Sequence, residues 1–512
     1  MKEILNNKIK LHFNILMLIC IGNFNFSIVY AQRDNNWCFG DSTTINFNFG
    51  IPISSKSSVS ISIEANASIS DDLGNLLFYI GAKPQMQFNQ FGTLWNTNNT
   101  IIPNGDSLKM GTTATNGATI LPFPNDSDLY YVFTDQSQFL SYTNKLFYHI
   151  VDCGSSLSVL NKNIMLINQS VSEKIAAVKH GNGRDWWLIT HSLELDTFYI
   201  FLIDSIGINS PLIQTIGFSY VYNYPIYNGM YGEMSFSYQG DKLCCVGFGI
   251  LDLFNFNRCT GQLSNYQDLI TGPRFTALND LYGVSFSPSG NYLYCSNWTN
   301  TLLFCQGSPP CKSQLSQYDL SSSNIPASRI LLADIDSTEF SFGQHQLAPD
   351  GKIYIARCRG QFPNYTRDSV NTTLSVIQNP DHLGTACNFQ LNGFSLGNSK
   401  VNVGLPNSPN YNLGAWVGSP CDTLSVGIVK HTATDFHLSP NPAHDKITIS
   451  TFGDIHKVKL QFRNLQGQLL HQQTESTGRT FEFILPPTLS RGLYLLEIFS
   501  EEGMVMKKVV VE

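Results

Sequence analysis

Val284-Ser285-Phe286-Ser287-Pro288-Ser289-Gly290-Asn291-Tyr292-Leu293-Tyr294-Cys295 reads as a short apolar strand, a glycine-containing turn and a second apolar strand. Alternation with a period of two lets each strand bury one face, and Pro-Ser-Gly supplies the turn between them. The same frame returns at 69–80, 234–244 and 345–355, and less regularly at 122–133 and 180–189. The turns recur roughly 50–60 residues apart, the period of a four-stranded propeller blade rather than of a helical repeat. A unit of this kind leaves sheet edges and faces that it cannot cover alone, and radial stacking around a channel covers them. The expected fold is all-β: a seven-bladed β-propeller over residues 33–421, with six blades as the alternative count. The seventh blade is expected to join N-terminal strands around 45–49 to C-terminal strands around 411–417, closing the ring.

Composition agrees with this class. Charged residues are 13% of the 512-residue chain and aromatics 12%, with 34 Phe and 22 Tyr. That balance suits pleated, half-buried surfaces better than exposed helices. The net charge of −7 is small for this length, and no Lys/Arg run forms the basic stripe a phosphate backbone demands. Nucleic acid is therefore not an expected partner. After the N-terminus no apolar stretch approaches the roughly 20 residues a membrane-spanning helix needs, so no transmembrane helix is expected in the mature chain.

The N-terminus has the layout of a secretory signal. Lys2, Lys8 and Lys10 precede an apolar run over 11–21, and the segment closes on Val29-Tyr30-Ala31. Residues 1–31 are read as a signal peptide. A competing reading makes Cys20 a lipoprotein cysteine, but Ile19 stands where such a site wants a small residue. Of the 12 cysteines, Cys20 leaves with the signal, so the odd remainder requires at least one free thiol or an intermolecular bond. Cys305 and Cys311, flanking Gly307-Ser308-Pro309-Pro310, are the pair first expected to form a disulfide. Cys244 and Cys245 sit in a strand-like run and are expected to be buried.

Residues 422–434 read as a linker, and alternating strands resume from 435 to 512. They describe a small Ig-like antiparallel β-sandwich. Its opening Ser439-Pro440-Asn441-Pro442-Ala443, its segment Leu489-Ser490-Arg491-Gly492-Leu493-Tyr494 and its closing Lys507-Lys508-Val509-Val510-Val511 resemble the type A C-terminal sorting domain of the type IX secretion system. The carrying residues are Pro440, Asn441, Pro442, Gly492, Tyr494, Lys507 and Lys508. The resemblance implies a Bacteroidetes-type outer membrane and a partner in the type IX machinery. The cargo is then expected to be secreted or attached to the outer surface of the outer membrane.

The middle region resembles a family of secreted Bacteroidetes propellers, with echoes of WD-repeat and lactonase-like propellers. The resemblance rests on Trp37-Cys38-Phe39-Gly40, on Gly74-Asn75-Leu76-Leu77-Phe78-Tyr79 and on Phe254-Asn255-Phe256-Asn257. Tyr282-Gly283-Val284-Ser285-Phe286-Ser287 and Gly404-Leu405-Pro406-Asn407 add to it. These motifs build blades, so the resemblance implies a fold and leaves the activity open.

Catalytic shortcuts are missing from the sequence. It contains no G-x-S-x-G elbow, no H-E-x-x-H, no P-loop and no C-x-x-C pair. No catalytic, cofactor-binding or metal-binding residue is therefore assigned, and no cofactor is expected. His180, His191 and His345 are the candidates for a central constellation, set against the plainer reading of polar residues near turns. Asp71 with Asp72 and Asp126 with Asp128 could offer oxygens to calcium, but acidic residues in hairpins ordinarily serve the turn. Trp186 and Trp187 occupy successive strand positions and must point to opposite faces; one could stack on a sugar ring in the channel or at a loop face, and core packing accounts for at least one of them. The function expected is a binding or scaffold module for a glycan or protein ligand. The alternatives are a propeller enzyme (lactonase, lyase or glycosidase) with a site in the central channel, and a structural surface adhesin.

Overall fold

The computed structural model describes residues 32–83, 91–137, 144–154, 156–220, 222–223, 226–227, 230–298, 312–336, 340–361, 364–366, 369–422, 436–455, 458–464, 469–475, 478–487, 489–500 and 503–512. The chain divides into two compact units, Met1–Asp422 and Thr423–Glu512. The signal segment, Cys305 and Cys311 lie outside the described residues.

The first unit is a β-propeller. Among the described residues, seven antiparallel sheets of three or more strands follow one another in chain order. They begin with the strands Asn36–Phe39, Ala67–Ser70, Ala118–Pro122, Val171–Lys179, Met234–Phe236, Leu281–Phe286 and Ser341–Leu347. We number the sheets one to seven in that order. From sheet one to sheet seven, the first strand of each sheet touches the first strand of the next in chain order.

Five of the expected hairpins carry their glycine in the left-handed region: Gly74, Gly183, Gly240, Gly290 and Gly351 have φ between 72° and 80°. An L side chain rarely adopts that conformation, which is why the turn selects glycine. In the sixth hairpin Asn125 takes the role, at φ 70°. In each the strand is closed by paired backbone bonds, as in Ser287 N to Tyr292 O and Gly290 N to Ser287 O.

Successive residues on the second strands serve opposite neighbours. Cys245 packs with Val178, Ile189 and Phe254 between sheets four and five. Cys244 packs with Val284, Phe286 and Leu293 between sheets five and six. Tyr294 joins Phe342 and Ile355 between sheets six and seven, and Tyr354 and Val376 meet Trp37 and Ile45 between sheets seven and one. Cys38, Tyr79 and Trp95 link sheets one and two, and one continuous cluster joins sheets two, three and four. The core is therefore a ring of inter-sheet layers.

The expected closure is corrected by the structure. Sheet one has three strands, all N-terminal, and 411–417 contains no strand. The ring closes instead where Asp41 N donates to Lys400 O at 2.7 Å. Beyond Lys400 the chain becomes a strap that spends its backbone groups on the propeller's axis. Pro406 and Pro409 have no N–H to give to a sheet ladder, which keeps this segment out of a blade.

The second unit is a β-sandwich. One sheet holds His437–Ser439, Lys446–Ile455 and Gly478–Ile484, and the other Leu469–Glu475, Val458–Arg463, Gly492–Ser500 and Gly503–Val511. Ile447, Leu460, Phe462, Phe483, Leu496 and Val509 fill the space between them. The three motifs singled out in the sequence meet at the last strand. Asn441 donates from Nδ2 to Lys508 O and accepts from Val510 N, both at 2.8 Å, so its side chain imitates a strand neighbour. Ala443 N donates to Val510 O, Gly492 lies opposite Val511, and Tyr494 OH donates to Ser490 O at 2.7 Å. Lys508, Pro440 and Pro442 are exposed and Lys507 is half-buried.

Candidate binding cavity

The first strands enclose an axial cavity of about 770 Å³. The N-terminal parts of the first strands of sheets three, five, six and seven are tied to one another. Gln344 Nε2 of sheet seven donates to Thr115 O beside sheet three, and its Oε1 accepts from Leu405 N at 2.6 Å. Gly232 N donates to Thr115 Oγ1 and Met234 N to Asn116 Oδ1. Glu233 Oε2 accepts the backbone N–H of Val284 at 2.7 Å and of His345 at 3.0 Å, uniting sheets five, six and seven. These bonds form a floor. The hairpin residues Tyr238, Pro288 and Gly351 line the other end.

The strap supplies part of the wall. Gly404 lies so close to the chain at Glu64 that an added methyl would sit 2.2 Å from its carbonyl oxygen. Asn407 donates to Asn66 O and Ile175 O and accepts from Thr119 Oγ1, which pins it against the first strands of three sheets. Tyr411 OH donates to Ile120 O at 2.8 Å, Arg258 Nη2 to Gly414 O, and Trp416 N to Gly181 O. A disulfide between Cys259 and Cys421 fixes the end of the strap to sheet five.

Two acids give the cavity its chemistry. Burial pushes Glu233 up to about 8, against the two backbone N–H bonds that favour its charged form. Loss of water also raises Asp34, to about 7, although Trp37 Nε1 donates to it at 3.1 Å. Neither has a basic side chain beside it among the described residues, and no Lys or Arg lines the cavity. The third acid of the wall, Asp350, is matched by Tyr354 OH and by Lys352. Burial lowers His345 to about 3, which leaves it neutral; its Nε2 meets Ser296 Oγ and its Nδ1 is buried without a partner.

The three histidines do not converge. His180 bonds Cys259 O, and His191 stacks on Tyr220 at 3.8 Å and bonds Ser192 O; only His345 lines the cavity. Asp71 caps its own turn, accepting from Leu73 N and Asn75 N, and Asp126 accepts from Asp128 N. Trp186 donates to Pro122 O and packs on Tyr411, whereas Trp187 donates to Arg258 O and packs on Phe256. Among the described residues no group of three His, Cys, Asp or Glu could hold a metal ion. Glu233 and Asp34 escaped the sequence reading. A signal for Glu233 was present in the repeat frame: four residues before each turn the six hairpins carry Ala67, Thr119, Ala176, Glu233, Gly283 and Gln344, and one of these is charged.

Residues 437–512 match the family described as the secretion system C-terminal sorting domain. Comparison with curated proteins gave no match. Among solved structures, the periplasmic gluconolactonase PpgL of Pseudomonas aeruginosa is 11% identical, over 77% of this chain and 95% of that one, with a TM-score of 0.34. The β-propeller domain of Cps50 (Swd1) from Myceliophteria thermophila is 12% identical, over 63% and 93%, at 0.30. Hsv2 of Kluyveromyces lactis is 8% identical, over 68% and 90%, at 0.34. The C-terminal unit is a type IX sorting domain, and a chain so marked is secreted or held at the cell surface.

Proposed function

We propose that the propeller is an exported binding module that receives the end of a glycan in its axial cavity, after residues 1–31 direct the chain across the inner membrane. The observation that carries this reading is the cavity of about 770 Å³, within the size range of small-ligand sites. Its wall alternates hydroxyl, amide and carboxyl groups with Phe47, Phe236, Tyr238 and Tyr411. Sugar rings present hydroxyls at the edge and C–H bonds on the face, and this lining offers partners to both. The half-exposed Tyr238, at 43%, stands where an incoming chain would first stack.

A screen of the purified mature chain, residues 32–512, against neutral, acidic and amino oligosaccharides tests the reading. Binding that is competed by a soluble oligosaccharide and lost in Asn407→Ala is expected; absence of binding to every class refutes it. Two raised acids in one cavity also favour a second reading, glycoside hydrolysis, which requires a proton-donating carboxyl. Release of a shortened sugar during the same screen would select it.

A further inference from the structure

We propose that Asp135, Asn144 and Glu173 form a calcium site that clasps sheets three and four beneath the floor of the cavity.

Backbone pairing brings the three together. Asp135 ends the second strand of sheet three opposite Leu146, and the bond from Gln136 N to Lys145 O carries that register one step on, which sets Asn144 opposite Ser137. Alternation along paired strands then turns Asp135, Ser137 and Asn144 to one face. Ser137 Oγ donates across that face to Glu173 Oε1 at 2.9 Å, and Val171 N donates to Asn144 O, so the first strand of sheet four closes the space. Glu173 Oε2 also accepts from Thr115 N and Thr115 Oγ1, which joins the site to the floor.

Unspent polar atoms carry the inference. Asp135 and Asn144 have no solvent exposure, yet both carboxylate oxygens of Asp135 and both amide atoms of Asn144 lack a hydrogen-bond partner. Among the described residues Asp135 is the only acid in that condition. Asp252, also buried, accepts from Phe218 N at 3.0 Å and from Tyr266 OH at 3.3 Å, and Glu233 has its two backbone N–H groups. Lys174 brings one positive charge to two acids, but its Nζ donates to Tyr231 O at 2.6 Å and makes no hydrogen bond to Asp135. Burial and the neighbouring charge of Glu173 push Asp135 well above the usual carboxylate range, and the nearby Ser137 N–H and Lys174 offset this only in part. A cation between the carboxyls removes the repulsion and gives the amide oxygen its missing partner.

Donor chemistry selects the ion. Carboxylate and amide oxygens suit a hard cation, and among the described residues no His or Cys joins the two acids, which disfavours zinc and copper. Magnesium retains several waters, for which a closed site is a poor host, whereas calcium accepts protein oxygens in irregular geometry.

The test measures bound metal and thermal unfolding of the mature chain, in EDTA and in chloride salts of calcium, magnesium, sodium and potassium. Heating opens the closed site, so ion and chain equilibrate near the midpoint. A single calcium ion per chain should survive desalting, and calcium alone should raise the midpoint, read by tryptophan emission, by at least about 3 °C. Asp135→Asn should lose both effects. In EDTA its midpoint should match or exceed the parent's, because a neutral amide is cheaper to bury beside Glu173 than a carboxylate; a residue with a merely structural role would lose stability in both conditions. Asn144→Ala should need more calcium for the same rise, and Asp126→Asn, in an exposed turn, should behave as the parent. A parent chain that retains no calcium, a rise given equally by sodium or potassium, or a calcium response that persists in Asp135→Asn overturns the proposal. Should either buried variant fail to fold, the calcium content and the midpoint of the parent decide it.

Discussion

The disulfide between Cys259 and Cys421 spans 162 positions of sequence, and replacing both cysteines with serine tests whether the strap belongs to the propeller's cooperative unit. Closing a loop of that length in the unfolded chain is worth on the order of 5 kcal/mol by chain entropy. The folded state need not rearrange on its loss. Asn407, Tyr411, Gly414 and Trp416 each keep a hydrogen bond to the ring, worth about 1 kcal/mol apiece. The penalty should therefore appear in stability and not in structure. All six tryptophans lie within the first unit, so their emission during urea unfolding reports on the propeller without interference from the sorting domain. With a denaturant slope of about 3 kcal/mol per molar, the midpoint should fall by roughly 1.5 M. A midpoint within about 0.3 M of the parent would refute the reasoning, because the strap would then be peeling away ahead of global unfolding.

Three further outcomes are expected. Glu233 titrates at about 8 when folded against an ordinary 4.5, so the folded state keeps a proton that the unfolded chain releases between those values. Stability should then decline as pH rises through that window, by up to roughly 5 kcal/mol from this group. Glu233→Gln should flatten the decline between pH 5 and 8.5, and parallel curves for parent and variant would count against it. Gly404→Ala forces a methyl onto a backbone carbonyl that cannot swing aside, and should cost roughly 1–3 kcal/mol in thermal unfolding. Tyr494→Phe removes the hydroxyl bond to Ser490 O and should lower the stability of the C-terminal unit by about 1 kcal/mol, read from its calorimetric transition.

Much of the fold is legible because its determinants are local. The hairpin at Ser287-Pro288-Ser289-Gly290 specifies a turn by residues in contact with one another, and copies of it set a period that any ring of sheets must obey. The sorting domain is legible for a related reason, since its three motifs are held together by the last strand. Ring closure is less legible. Asp41 and Lys400 meet through backbone atoms that any residue possesses, and nothing in the side chains marks them as partners. The bond between Cys259 and Cys421 shows the same limit, since it joins residues far apart in sequence that the strap's path brings together; the expected pair Cys305 and Cys311 lies outside the described residues. The histidines drew attention by residue type. The acids of the cavity differ from the chain's other carboxyls only in what surrounds them, and surroundings appear once the ring is assembled.

The union of Asn441 and Ala443 with the closing strand makes the sorting domain's opening and ending a single object. A chain that loses its last few residues loses the partners of its Pro-Asn-Pro entry as well, although that entry lies some 70 positions upstream. The opening motif of the sorting domain is therefore complete only in a folded chain that keeps its last strand.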